Sequence, residues 1–159
     1  MTVITHNPRK SRLSEMLDRP GGISIGVALT QAKANLDALQ GQARAIITDN
    51  IAILLATPEP GLIEPMRLDL AYSASSQIID AASPFAMDDL CTAAKGLCDL
   101  LDAAPRQGGF DWRIATVHAQ AMKVLLSLPP EEATARSAIL SNLHEVLRRK
   151  LPAGDQSAS

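Results

Sequence analysis

The sequence predicts an all-α fold, an up-and-down helical bundle of about five helices with a long first helix and a flexible N-terminal arm. Three observations carry that prediction. Hydrophobic residues make up 47% of the 159-residue chain but aromatic residues only 3%, so the apolar content is mostly Ala, Leu, Ile and Val, which suits close helix packing better than a β-sandwich. Apolar residues recur at three-four spacing in five stretches. No strand-like alternation competes with them, and no internal repeat stands out. A chain of this length fits one domain and buries most of its apolar surface without disulfides or metals.

Residues 1–26 read as an arm, partly disordered or forming a short docking helix. A bundle domain follows at 27–151 and a disordered tail, rich in Pro, Gly, Asp and Ser, at 152–159. The arm holds Arg9, Lys10, Arg12 and Arg19 against Glu15 and Asp18, and closes on the Pro20-Gly21-Gly22 break. Within it Leu13, Met16 and Leu17 form a short apolar edge at helical spacing.

The first helix is expected from about Val27 to Ala56, roughly 45 Å by the helical rise. Leu29, Ala32, Leu36, Leu39, Ala43, Ile46 and Ile53 form its stripe, and Asn50 falls in the same series. An Asn on such a stripe either fixes coiled-coil register or reaches solvent from an edge; the edge placement is the expectation. Thr57, Pro58 and Pro60-Gly61 end the helix. The second helix spans about Pro65 to Ala82, with Pro65 suited to the first helical position and Met66, Leu70, Ala74 and Ile78 on one face.

Ser83-Pro84 supplies an N-cap and first-turn pair for a third helix reaching about Ala104. Its expected face is Met87, Leu90, Cys91, Ala94, Leu97, Cys98 and Leu101. Gly96 costs that helix roughly 1 kcal/mol against Ala and admits a close helix crossing. Pro105 and Gly108-Gly109 make the clearest loop, and Asp111 caps a fourth helix from Trp112 to about Leu128. Pro129-Pro130-Glu131-Glu132 stops that helix and starts the fifth, which reaches about Lys150. Acids then stand at its positive end, and Arg148, Arg149 and Lys150 at its negative end.

Charge and motifs exclude several function classes. A net charge of -2 offers no global basic field for nucleic acid or anionic lipid. Met1 to Arg19 carries no secretory apolar core, and the longest strongly apolar run, Ile51–Ala56, is too short to span a bilayer. A cytoplasmic protein without membrane insertion is the expectation. Cys91 and Cys98, seven apart on one helix, would lie roughly 10 Å from each other along the axis. A disulfide needs Cα atoms within about 7 Å, so reduced core thiols are expected, with no metal site beside them. Phosphate loops, nucleophile elbows, zinc-protease helices and calcium loops are all missing. Gly21-Gly22 with Gly26 lacks the strand and the Lys-Ser or Lys-Thr of a phosphate cradle. Asp88 and Asp89 read as first-turn dipole partners rather than a catalytic pair. No enzyme, no catalytic residue and no cofactor is expected.

Two histidines merit comparison. The polar stripe of the fourth helix is Arg113, Thr116, Gln120, Lys123 and Ser127, and His118 points away from it with Ile114, Ala115, Ala121, Met122 and Leu125. It is expected to be packed in the core or at an interface. His144 shares a face with Ser137, Ser141 and Arg148, opposite Ile139, Leu140, Leu143, Val146 and Leu147. It is expected to be exposed, where a cation and an acid nearby could assist phosphoryl acceptance. Histidine phosphotransfer domains place an apolar residue, Lys and Gly soon after the histidine. His118-Ala119-Gln120-Ala121-Met122-Lys123 lacks that Lys and Gly. His144-Glu145 resembles the start of a histidine-kinase dimerisation box, but the Arg and Pro that follow are displaced to Arg148 and Pro152.

Ser11-Arg12-Leu13-Ser14 through Arg19-Pro20-Gly21-Gly22, followed by Ala28-Leu29 and Ala34-Asn35-Leu36, resembles the CheE family, small accessory proteins associated with bacterial chemotaxis gene clusters. The resemblance covers about the first forty residues together with overall size and helicity. It implies a chemotaxis-linked role and carries over no functional residue, because it includes no catalytic motif.

The expectation that follows is a non-enzymatic helical adaptor or modulator in bacterial signal transduction, bound to a protein partner of a chemotaxis or two-component system. Leu13, Met16 and Leu17 would anchor that partner while Arg9, Lys10 and Arg12 steer an acidic surface toward them. The alternative is a histidine phosphotransfer protein acting at His144 or His118. The heptad-like stripe of the first helix also admits a homodimer, although the same stripe serves inside a monomeric bundle.

Overall fold

The computed structural model describes residues 24–59, 61–105 and 109–150. The arm residues named above between Arg9 and Arg19, the Pro20-Gly21-Gly22 break, Pro60, Gly108 and the 152–159 tail lie outside them. The described residues form five α helices and no strand: α1 (Ile25–Ala56), α2 (Glu64–Ala82), α3 (Asp88–Asp102), α4 (Arg113–Ser127) and α5 (Ala133–Lys150), with a 3-10 turn at Ser83–Phe85. The all-α bundle and its long first helix, 32 residues, are as the sequence predicts. No helix among the described residues is long and apolar enough to cross a membrane.

The chain divides into two compact units, Met1–Ala38 and Leu39–Ser159, with α1 running through the division. In the first unit, the described residues 24–38 open α1. Ser24 starts the helix by accepting the Val27 amide on its hydroxyl oxygen at 3.3 Å. Every side chain from 24 to 38 is exposed.

The core lies in the second unit, and α3 is its hub, packed against α2, α4 and α5. Three neighbours fit round one helix because its buried surface alternates Leu90, Leu97, Leu100 and Leu101 with Ala93, Ala94 and Gly96. The close crossing expected at Gly96 is made with α5, where a Cβ on the glycine would stand 2.7 Å from Leu147 Cδ1. From α1 the core receives Ile47, Ile51 and Leu54, and from α4 Ala115, Ala119, Met122 and Leu125.

Several expectations are corrected. The buried side of α1 is Ala43, Ile47, Asn50, Ile51 and Leu54, so most of the stripe drawn from Leu29 to Ile53 is exposed. The reason is that α1 carries apolar residues on more than one face, and its core selects a different set. Asn50 does not reach solvent; it is buried and its Nδ2 donates to the Ile46 carbonyl at 2.9 Å. On α2 the buried set is Leu68, Ala71, Ala74, Ser75, Ile78 and Ala82, while Met66 and Leu70 are exposed. Ser75 is admitted to that face because its hydroxyl donates to the Ala71 carbonyl at 2.9 Å. Pro65 takes the second helical position, behind Glu64.

Ser83-Pro84 does not start α3. It forms the 3-10 turn that finishes α2, and Ala86 then turns left-handed at φ 53. That conformation cannot continue a right-handed helix, so α3 begins at Asp88, with Asp88 and Asp89 in its first turn.

Candidate docking groove between the first and fourth helices

A groove of about 390 Å³ runs between α1 and α4. From α1 it receives Arg44, Thr48, Ile51, Ala52 and Leu55, and from α4 Lys123, Leu126 and Ser127. The chain folds this way locally because Ile51 is drawn into the core while Leu55, one helical turn on, stays half-buried. Across from them Leu126 is half-buried beside the fully buried Leu125. The polar rim is turned on itself. Thr48 Oγ1 donates to the Arg44 carbonyl at 2.8 Å and Ser127 Oγ to the Val124 carbonyl at 2.8 Å. The floor is thus left apolar, with two cations, Arg44 and Lys123, and no acid among its lining residues.

Arg44 also shapes the groove. Its Nη2 donates to the Leu126 carbonyl at 2.6 Å, one of the four carbonyls that an α-helix leaves without an internal partner. From the other side Arg136 Nη1 donates to the carbonyls of Leu125 (3.0 Å) and Leu128 (2.9 Å). Arg136 Nε is also 2.5 Å from Asp89 Oδ2. The C-terminal end of α4 is therefore held by guanidinium groups from α1 and α5, and the Arg44 bond ties the two walls of the groove together. A second cleft of about 380 Å³ opens beside these two arginines and the first turn of α3, and Arg44 and Leu126 line both hollows.

His118 lies in α4 with none of its surface exposed. Its Nδ1 is 2.9 Å from the Ile114 carbonyl. A carbonyl only accepts, so Nδ1 carries the hydrogen of the neutral ring, and Nε2 is sealed in without a hydrogen-bond partner. Burial pushes the imidazole below its ordinary pKa, partly offset by the Ile114 bond. A phosphoryl donor has no route to this ring. His144 is exposed on α5, and its neighbour Glu145 is engaged elsewhere, 3.1 Å from Arg148 and 3.0 Å from Arg149. The two histidines are on different helices, one sealed and one open.

Cys98 is buried and Cys91 half-buried, both free thiols on α3. Burial raises both pKa values, with Asp88 adding to the effect at Cys91 and Asp99 at Cys98. Among the described residues no cluster of three His, Cys, Asp or Glu is placed to hold a metal.

Helical periodicity alone does not single out Arg44, Leu55, Leu126 or Arg136. One signal was present: Ile51 and Leu55 are apolar yet off the heptad stripe, which marks a second apolar side on α1. The chain matches no protein-family model, no curated protein and no solved structure.

Proposed function

We propose that this chain is a non-enzymatic helical adaptor or modulator of bacterial signal transduction, linked to chemotaxis, that binds a partner helix in the α1–α4 groove. The observation that carries the reading is the groove itself: an apolar floor of Ile51, Ala52, Leu55 and Leu126 between Arg44 and Lys123. Helix-in-groove recognition uses apolar anchors one turn apart, and cations without neighbouring acids favour an occupant with acidic flanks. The arm, through Leu13, Met16 and Leu17 with Arg9, Lys10 and Arg12, would add a second contact of the same charge preference. The chemotaxis link rests on the resemblance of residues 11–36 to the CheE family.

Affinity capture from the source cell, read by mass spectrometry, tests this with three full-length forms. These are the native chain, Ala52→Glu in the groove, and Leu13, Met16 and Leu17 all changed to Ala. Ala52 is exposed, so its substitution leaves the fold intact while placing a charge on the groove floor. Recovery of chemoreceptor-array or kinase components by the native chain, lost in Ala52→Glu, supports the reading. Equal recovery by all three forms rejects it.

A phosphorelay reading is favoured by one observation, the open position of His144 with Arg148 a turn away. Incubation with a phosphorylated receiver domain would then give an acid-labile, base-stable phosphoprotein that His144→Gln abolishes. Absence of transfer from every receiver domain of the source cell removes it.

A further inference from the structure

We propose that the exposed stripe of α1 is a coiled-coil seam that binds a second copy of this chain. Ile25, Leu29, Ala32, Leu36, Leu39, Ala43, Ile46, Asn50 and Ile53 follow each other at alternating steps of four and three without a slip. A strict 3.5-residue repeat over four heptads keeps one seam facing a partner helix, and a helix lying on a globular core has no need of it. α1 satisfies its own core chiefly with Ile47, Ile51 and Leu54, which lie off the stripe, and shares only Ala43 and Asn50 with it. Apart from Ala43 and Asn50, which the core buries, the seam residues are left uncovered: Ile25 is 81% exposed, Leu29 65%, Leu36 56% and Leu39 54%, with Ile46 and Ile53 partly so.

Area, charge and helix stability all select a second copy as the occupant. Those six side chains present on the order of 600 Å² of surface per chain, and their flanking residues bring this near the ~800 Å² per partner of a stable interface. Residues 24–42 contain only two charges, Lys33 and Asp37, so two copies laid together meet no block of like charge. The flanking Asn35, Gln40 and Gln42 both donate and accept, and so can pair with their own counterparts. This stretch also contains Gly26 and Gly41, each costing a helix about 1 kcal/mol against Ala. A lone helix of such length is marginal in water, and its order is normally supplied by packing. The seam is separate from the α1–α4 groove, which uses Arg44, Thr48, Ala52 and Leu55, so the inference does not depend on the functional reading above.

The test is the mass of the full chain by sedimentation and light scattering over a hundredfold concentration range. The same measurement is made on a variant with Leu29→Glu and Leu36→Glu. The expected result is twice the 16.9 kDa chain mass for the native protein and the single mass for the variant. Both positions are exposed, so the variant should keep the native emission of Trp112, which reports on the second unit. A native chain that is monomeric throughout overturns the proposal and leaves the stripe to residues 1–23 or to another protein. A dimer that survives both glutamates overturns it equally.

Discussion

Gly96 and Leu147 share one space: a methyl group on the glycine would stand 2.7 Å from Leu147 Cδ1. The contact lets α5 press against the hub helix α3. Gly96→Ala is expected to gain about 1 kcal/mol of helix propensity and lose a similar amount in turning the half-buried leucine aside, for a net change below ~1 kcal/mol. Gly96→Leu has no such escape and should cost about 2–3 kcal/mol through overpacking. Adding Leu147→Ala should recover part of that loss, because the two sites are coupled. Urea unfolding followed through the single tryptophan, Trp112, measures all three.

Arg136 bonds the carbonyls of Leu125, in α4, and Leu128, just beyond its end, and Asp89 at once. Arg136→Ala is expected to destabilise the fold by about 2–3 kcal/mol, since it leaves a part-buried carboxylate and two carbonyls without this donor. Arg136→Lys should recover less than half, because an ammonium cannot reproduce the planar fork that reaches three acceptors. Asp89→Asn should cost less than Arg136→Ala, as both carbonyl bonds survive it. Denaturant midpoints for the three variants decide the order.

The sealed ring of His118 predicts an acid-side loss of stability. Burial depresses the folded-state pKa, so the unfolded chain binds the proton more readily. The stabilisation is complete above the unfolded value of about 6.5 and falls as pH drops through it toward the folded value. His118→Leu should remove this limb and be near neutral or mildly stabilising at pH 7, because it replaces an unpartnered polar atom with an apolar one. Native and variant stability compared from pH 7.5 down to 4.5 checks the sign. Parallel curves would refute it.

Arg67 closes the C-terminal end of α1 through bonds to the carbonyls of Thr57 at 3.0 Å and Pro58 at 2.9 Å. It also pairs with Glu64 at 3.2 Å and stacks 4.3 Å above the Trp112 ring. Arg67→Ala should cost about 2 kcal/mol and shift Trp112 emission in the native state. Arg67→Lys should preserve more of the emission than of the stability. Unchanged emission in Arg67→Ala would show that the stacking does not persist in solution.

The sequence made the helices legible and their faces only partly so. α3 and α4 were read well because each has one apolar side: Leu90, Ala94, Leu97 and Leu101 on the first, and Ile114, Ala115, Met122 and Leu125 on the second, are buried as expected. α1 and α2 were misread because both are apolar on more than one side, and periodicity cannot say which side a neighbour will cover. Asn50 misled for a different reason, since it satisfies its polar group within its own helix and so enters the core, as Ser75 does on α2. Arg44, Arg67 and Arg136 were invisible because their roles consist of reaching carbonyls on distant segments. The groove depends on two of those facts, the second apolar side of α1 and the reach of Arg44.

The hub position of α3 bears on how quickly and in what order the chain assembles. Its neighbours α2 and α4 adjoin it in sequence, so the second unit closes mainly short loops, the topology of fast folders. That topology predicts a nucleus centred on α3 with α2, with the Gly96 contact to α5 forming after it. Substitutions at Leu90 or Leu97 would then slow folding, whereas those at Leu147 would chiefly hasten unfolding. The last helix to dock would be the first to leave.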